Sequence, residues 1–247
     1  MSSDQVDNRH VNVDYQVAVG SLPYHRAVAD LVIKHSSDGD HILDIGTGAG
    51  SVPYIVQQKG RRSVDIADAY QACLKTASSR VTVTQSFLID EEQFDIAAKI
   101  PPARYAVVTM SHVLEHLLNP VQGVRDAMSL VKPGGHLILA VPNPVRPLVF
   151  INALLRRKYS NPGHVAAWDR SHWINFLENV LEVHVVEYGG DYVQLLPRSL
   201  PVVSRLEQWL VRLFPWLTFS NIAVIKVDDA GDSPSVPAFN MPHGPNG

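Results

Sequence analysis

The chain is short of almost everything that would mark a specialised environment. Cys73 is the single cysteine in 247 residues, which excludes an internal disulfide and a cysteine metal cluster and fits a reducing compartment. Charge of either sign is not in excess: 21 Lys and Arg against 24 Asp and Glu leave a net charge of −3. Nucleic-acid surfaces need a strongly basic balance to neutralise phosphates, so no nucleic-acid partner is expected. No apolar run reaches the roughly 20 residues that cross a bilayer, and the polar opening lacks the basic and apolar regions of a secretion signal. Internal repeats and blocks of like charge are missing too. A soluble, cytoplasmic protein is the expectation.

What is present suits one folded domain. A hydrophobic content of 46% can bury a sizeable core in a chain of this length. Apolar residues thin out at both ends: the opening is polar, and the stretch from Asp228 to Gly247 is rich in Gly, Pro, Ser and Asp. Residues 1–12 and 228–247 are therefore expected to be disordered, with one domain over 13–227.

Inside that domain short apolar stretches alternate with amphipathic ones. Strands are expected at 40–45, 62–66, 81–85, 104–110, 136–141, 182–188 and 221–227. Helices are expected at 23–35, 50–59, 69–77, 119–131, 171–179 and 202–212. Pro133, Gly134 and Gly135 punctuate the chain before an apolar strand. Alternation of this kind predicts an α/β fold with a buried, mostly parallel sheet, whose ligand lies beyond the carboxyl ends of the strands.

The most informative stretch runs from His41 through Asp44 and Ile45 to Gly46-Thr47-Gly48-Ala49-Gly50-Ser51. A strand enters a turn whose glycines allow tight bending and close approach of a ligand. The helix that follows turns backbone N–H groups toward that ligand. Dinucleotide enzymes use a related G-x-G-x-x-G loop; here the spacing is G-x-G-x-G with an acidic residue before it. Asp65 lies on the next strand, at about the distance where a carboxylate meets ribose hydroxyls in such folds; the plainer role for it is a cap on the next helix.

Together these segments resemble the class I S-adenosylmethionine (SAM) methyltransferases. Thr109-Met110-Ser111-His112-Val113-Leu114-Glu115-His116-Leu117 is similar to the family's fourth-strand end. Leu130-Val131-Lys132-Pro133-Gly134-Gly135 is similar to its Pro-Gly-Gly segment, and the final strands to its closing hairpin. The resemblance covers residues 20–227 and implies a doubly wound, Rossmann-like sheet of seven strands with an antiparallel last strand. It implies SAM as cofactor, held by Asp44, Gly46, Thr47, Gly48, Gly50, Asp65, Ile66, Phe87 and Ser111. Two positions depart from the pattern. Tyr105-Ala106 stands where the family has an aromatic residue and Asp, and Gln85-Ser86-Phe87-Leu88 lacks the acidic residue set near the adenine amino group, with Asp90 displaced. Phe87 can pack on the adenine face or belong to the core.

The resemblance places His112 beside the reactive methyl group as a base or orienting group, since a histidine titrates near neutrality. An amine or carboxylate acceptor would need no base. His116 and His164 are expected to contact the acceptor, with Glu115 and His116 also bracing the turn. The string His112-Val113-Leu114-Glu115-His116 also matches the H-x-x-E-H pattern of zinc peptidases, which on a helix would put both histidines on one face. That reading leaves the glycine loop unexplained, so no metal is expected. A methyltransferase-like subunit without catalysis is the other alternative.

Acceptor choice is expected to reside in 144–173 and 195–219, outside the cofactor segments. Apolar runs near Arg156, Arg157 and Lys158, and near Arg205 and Arg212, suit a peripheral membrane contact. The partner is then a small-molecule or glycan acceptor, lipid-linked in that case.

Overall fold

The computed structural model describes residues 22–155, 163–193 and 209–228. Helix α1 (Pro23–Lys34) leads into β1 (His41–Ile45), α2 (Ser51–Gln58), β2 (Ser63–Asp68), α3 (Gln71–Arg80) and β3 (Gln85–Leu88). Then come α4 (Ile96–Lys99), β4 (Tyr105–Ser111), α5 (Pro120–Leu130), β5 (Val131–Pro142) and α6 (Pro147–Leu154). Helix α7 (Arg170–Asn175), β6 (Val185–Gly190) and β7 (Ser220–Lys226) close the fold. The expected tails, residues 1–12 and 228–247, lie outside the described residues except for Asp228, as does most of the second acceptor segment.

Seven strands form one sheet in the order β3-β2-β1-β4-β5-β7-β6. Strand β7 is antiparallel to both β5 and β6, and the other pairings are parallel. This is the doubly wound, seven-stranded architecture that the sequence predicts.

Strand periodicity explains why both faces are covered. Leu43, Val108, Leu137, Leu139 and Ala223 share one core, while Ile42, Val64, Val107, Ile138 and Val224 share the other. Successive residues thus point to opposite faces, and both faces are apolar, as a sheet sandwiched between helices requires. Helix α1 contributes Val28, Ala29 and Val32 to the second core.

Several boundaries differ from expectation, each for a local reason. Strand β3 begins at Gln85, where the expected strand ends, because its N–H is taken by the Asp65 carboxylate at 2.9 Å. Strand β5 already pairs at Val131, and its register shifts before His136. Gly135 sits in that shift, where a Cβ would meet the Ala106 carbonyl at 2.7 Å. The expected helix 171–179 is α7 followed by a π-turn over Phe176–Val180. Residues 114–116 form a 3₁₀ turn.

Candidate active site

The carboxyl ends of β1, β2 and β4 meet where the chain reverses its direction of winding, the place where open α/β sheets bind ligands. The turn after β1 is held there by its backbone. Gly46 N and Thr47 N donate to the Ala67 carbonyl at 2.8 and 3.2 Å, and Gly50 N donates to the Thr47 carbonyl at 2.8 Å. Gly46, Gly48 and Gly50 have φ of 71°, 51° and 72°, in the left-handed region that glycine adopts freely. Space is short as well: a Cβ on Gly46 would lie 2.2 Å from Val113 Cγ2, and one on Gly50 would lie 2.9 Å from Ala77 Cβ.

Asp44 bridges β1 to β4 by accepting from the Thr109 hydroxyl at 2.5 Å. Burial pushes its carboxyl up to about 6, partly offset by that hydrogen bond. Ser111 ends β4, and its Oγ is buried with no hydrogen-bond partner among the described residues.

The structure corrects the reading of Asp65. This carboxylate is fully buried and consumed by protein: Tyr105 donates its hydroxyl at 2.7 Å, Gln85 its N–H at 2.9 Å, and Arg104 lies 3.6 Å away. It pairs with Leu43 in mid-sheet, short of the strand's carboxyl end. Asp68 occupies that end instead. Its Oδ2 accepts from Gly48 N and its Oδ1 from Tyr70 N, both at 2.9 Å, so one carboxylate joins the glycine turn to the start of α3. Burial raises the Asp68 pKa. A cue for it existed in the sequence, since Val64, Ile66 and Asp68 alternate along one strand and Asp68 comes last. Ile66, expected at the cofactor, is wholly buried in the second core. Phe87 on β3 packs against the first core, opposite Ala67.

Beyond β4 lies a second group of side chains. His112 has φ of 57°, which costs a non-glycine residue energy and is concentrated at functional sites. Its N–H donates to the Ala140 carbonyl at 2.8 Å. The ring stacks on Tyr24 with centroids 4.3 Å apart, and Nε2 lies 2.9 Å from Ser220 Oγ. Burial lowers the imidazole to about 3, so it is neutral at physiological pH; the near-neutral titration expected from the sequence does not hold. Glu115 is 1% exposed. Both its carboxyl oxygens lack a hydrogen-bond partner among the described residues, and desolvation raises it to about 8. The bracing role foreseen for its side chain is therefore not what the structure shows; its backbone carbonyl does that work, accepting from Val165 and Ala166 at 2.8 and 3.2 Å.

Those two contacts lay the segment after Gly163 across the turn and bring in His164. One atom each from Glu115, His116 and His164 lies within 4.8 Å of the others, and the two rings meet edge-on at 4.8 Å. Burial lowers His116, and lowers His164 to about 4. With Glu115 held protonated, this is a neutral set that can give and take hydrogen bonds. The zinc-peptidase geometry is not formed: His112 directly follows β4 and 114–116 is a 3₁₀ turn, so no α-helix aligns His112 with His116. Asp68, Tyr24 and Ser220 were missed by sequence reasoning, the latter two because nothing local marks them.

Residues 22–180 match the family described as Methyltransferase domain. Ubiquinone biosynthesis O-methyltransferase of Leptothrix cholodnii is 33% identical over 126 residues, covering 49% of this chain and 52% of that protein. The protein of the same name from Pseudomonas aeruginosa is 28% identical over 151 residues, 53% of this chain and 63% of its own length. The chain thus spans between half and two thirds of these curated relatives. A SAM dependent methyltransferase from Archaeoglobus fulgidus has the same fold at a TM-score of 0.57 and 18% identity, over 84% of this chain and 95% of its own.

The residues present fit that cofactor. The turn from Gly46 to Gly50 takes a backbone form that glycine adopts freely, Ser111 Oγ is buried without a partner among the described residues, and the Asp68 carboxyl at the end of β2 offers oxygens that can accept from hydroxyls. Sheet order, loop and sequence match agree, and the chain belongs to the methyltransferase-domain family.

Proposed function

We propose that the chain methylates a hydroxyl oxygen of a small-molecule or glycan acceptor. The observation that carries this reading is His112: a neutral, half-buried imidazole in strained backbone just after β4, beside the glycine turn. SAM, when bound, supplies a methyl carbon made electrophilic by its sulfonium. Asp44, Gly46, Thr47, Gly48, Gly50 and Ser111 would hold it, with Asp68 to accept from the ribose hydroxyls and Phe87 to flank the adenine. The protein's remaining task is alignment.

His112 orients the acceptor hydroxyl and takes its proton, while His116 and His164 contact the rest of the acceptor. An imidazole lowered to about 3 is too weak to ionise a hydroxyl in advance. It suffices once the oxygen gains a bond to carbon and becomes strongly acidic, so proton transfer accompanies methyl transfer. The name of the curated relatives supports oxygen as the acceptor atom.

A membrane-dissolved or lipid-linked acceptor is supported by α6, where Phe150, Ile151, Leu154 and Leu155 are exposed, and by exposed Trp209 and Trp216. Arg156, Arg157 and Lys158 follow α6 in sequence but lie outside the described residues. No helix among the described residues is long and apolar enough to cross a membrane, so the contact is peripheral. Labelled SAM incubated with metabolite and envelope-glycan fractions tests the reading. Label is expected as a methyl ether; label only on nitrogen or carboxylate would overturn it.

A further inference from the structure

His112 is not held by its own segment alone. Its Nε2 meets Ser220 Oγ at 2.9 Å, and that hydroxyl lies 3.1 Å from Asp191 Oδ2. Asp191 Oδ1 in turn accepts from Tyr192 N at 2.8 Å and Ser220 N at 2.9 Å. A carboxylate, a hydroxyl and an imidazole therefore form a chain from the end of β6 through β7 to the end of β4. Ser220 is fully buried, which shields the link from competing water.

The hydrogen-bond inventory fixes the direction of this chain. An ionised carboxylate only accepts, so the one proton of Ser220 points to Asp191. Ser220 Oγ then has only lone pairs to offer Nε2, and Nε2 must carry the ring proton. The other nitrogen, Nδ1, is left bare, 3.6 Å from Glu115 Oε1. Which nitrogen is protonated is set by what the other ring atom meets, as in other acid–base histidines.

We propose that Asp191 and Ser220 are positioning residues that hold His112 as the Nε2–H tautomer, making Nδ1 the atom that receives the acceptor's proton. This rests on the reading of His112 as the proton-accepting group. The acceptor's proton passes to Nδ1 as its oxygen bonds the methyl carbon, and the electron pair of the broken C–S bond stays on sulfur. The resulting imidazolium is opposed by Asp191 through Ser220, which offsets part of its burial cost.

Other groups around the ring do not replace this arrangement. Tyr24 stacks on one face, and Phe219 lies 5.9 Å away as a second stacked ring. His25, Arg146, His164 and His116 all disfavour a positive charge on His112. Burial raises Asp191 to about 6, so the carboxylate is ionised, and the tautomer set, from neutral pH upward.

Asp191→Asn discriminates this role from a strand clamp. The amide oxygen can keep both backbone contacts, but its NH₂ would donate to Ser220 Oγ and turn the hydroxyl toward Nε2. Nitrogen-15 NMR of the wild-type protein at pH 7.5, with His112 assigned by the loss of its signals in His112→Gln, is expected to show Nε2–H. Asp191→Asn is expected to show Nδ1–H and a kcat lowered about 100-fold or more, with KM nearly unchanged. Ser220→Thr keeps the hydroxyl and is expected to retain the wild-type tautomer, whereas Ser220→Ala loses the preference. An Nδ1–H tautomer in the wild-type protein, or an unchanged tautomer in a folded Asp191→Asn, would overturn the proposal. A switched tautomer with full turnover would leave the positioning intact and remove His112 as the proton acceptor.

Discussion

The two ends of the site are built in opposite ways. In the glycine turn, the N–H groups of Gly46, Thr47, Gly48 and Gly50 are all taken by backbone carbonyls or by Asp68, so the backbone of the turn is fixed within the protein itself. Elsewhere in the site, Glu115 is buried with neither oxygen hydrogen-bonded among the described residues, and His112 sits in strained backbone. Unpaired buried polar atoms cost stability and are tolerated where a ligand or reaction uses them. The difference teaches that the glycine turn is a locally encoded element held by its own backbone, whereas the group around Glu115 is assembled from distant segments and leaves polar atoms unspent.

The comparison breaks most sharply at Gly46. Gly46→Val adds a branched side chain where even a Cβ lies 2.2 Å from Val113 Cγ2, at a φ of 71°. Binding of S-adenosylhomocysteine is expected to disappear in calorimetry, with a clear drop in melting temperature because Val113 must move. Retained affinity would show that the turn is not the cradle.

Next comes His112. His112→Ala is expected to lower kcat about 100-fold or more while SAM affinity changes little. Because burial holds the imidazole to about 3, its own titration contributes no rise in wild-type activity between pH 6 and 7. Full turnover in the variant would assign His112 to packing.

Asp65 and Asp68 give a paired test of smaller size. Asp68→Ala is expected to weaken SAM binding by about 1–3 kcal/mol, the cost of poorly paired ribose hydroxyls. Asp65→Ala is expected to act instead on folding, by about 2–4 kcal/mol in denaturant unfolding, since it strands Tyr105, Gln85 and Arg104. The opposite assignment would return Asp65 to the cofactor.

The mildest effect sharpens the contrast by pH. Glu115 is raised from 4.5 to about 8 by burial, so its contribution to stability is fully present below pH 4.5 and is lost as pH rises through about 8. Glu115→Gln removes the ionisable form. Its melting temperature relative to wild type is therefore expected to be more favourable at pH 9 than at pH 5. A constant difference across that range would mean that the carboxyl has the same pKa in the folded and the unfolded protein.

Much of this was legible in the chain, and the legible parts are local. The alternation of Ile42 and Leu43 between two apolar faces and the turn from Gly46 to Gly50 are short-range patterns whose meaning depends on backbone geometry alone, whereas Pro133 to Gly135, expected to stop the helix, lie inside β5 at its register shift. Asp65 misled because spacing along the chain does not say where a strand ends. Strand β2 continues to Asp68, and only the position of β3 and Tyr105 beside it shows that Asp65 is interior. His112, Glu115 and His116 stood out as residue types, yet their pKa directions depend on burial by segments far away in sequence.

The sequence by itself determined the fold class, the glycine turn after β1 and Asp44 on the strand before it, because periodicity, glycine conformation and strand-to-turn order are properties of neighbouring residues. Only the tertiary structure decided that Asp68 rather than Asp65 reaches the mouth, that His164 joins Glu115, and that Asp191 and Ser220 stand behind His112. Hydrogen bonds between side chains far apart in sequence exist only once the sheet has set its strand order, and desolvation exists only once the core has closed.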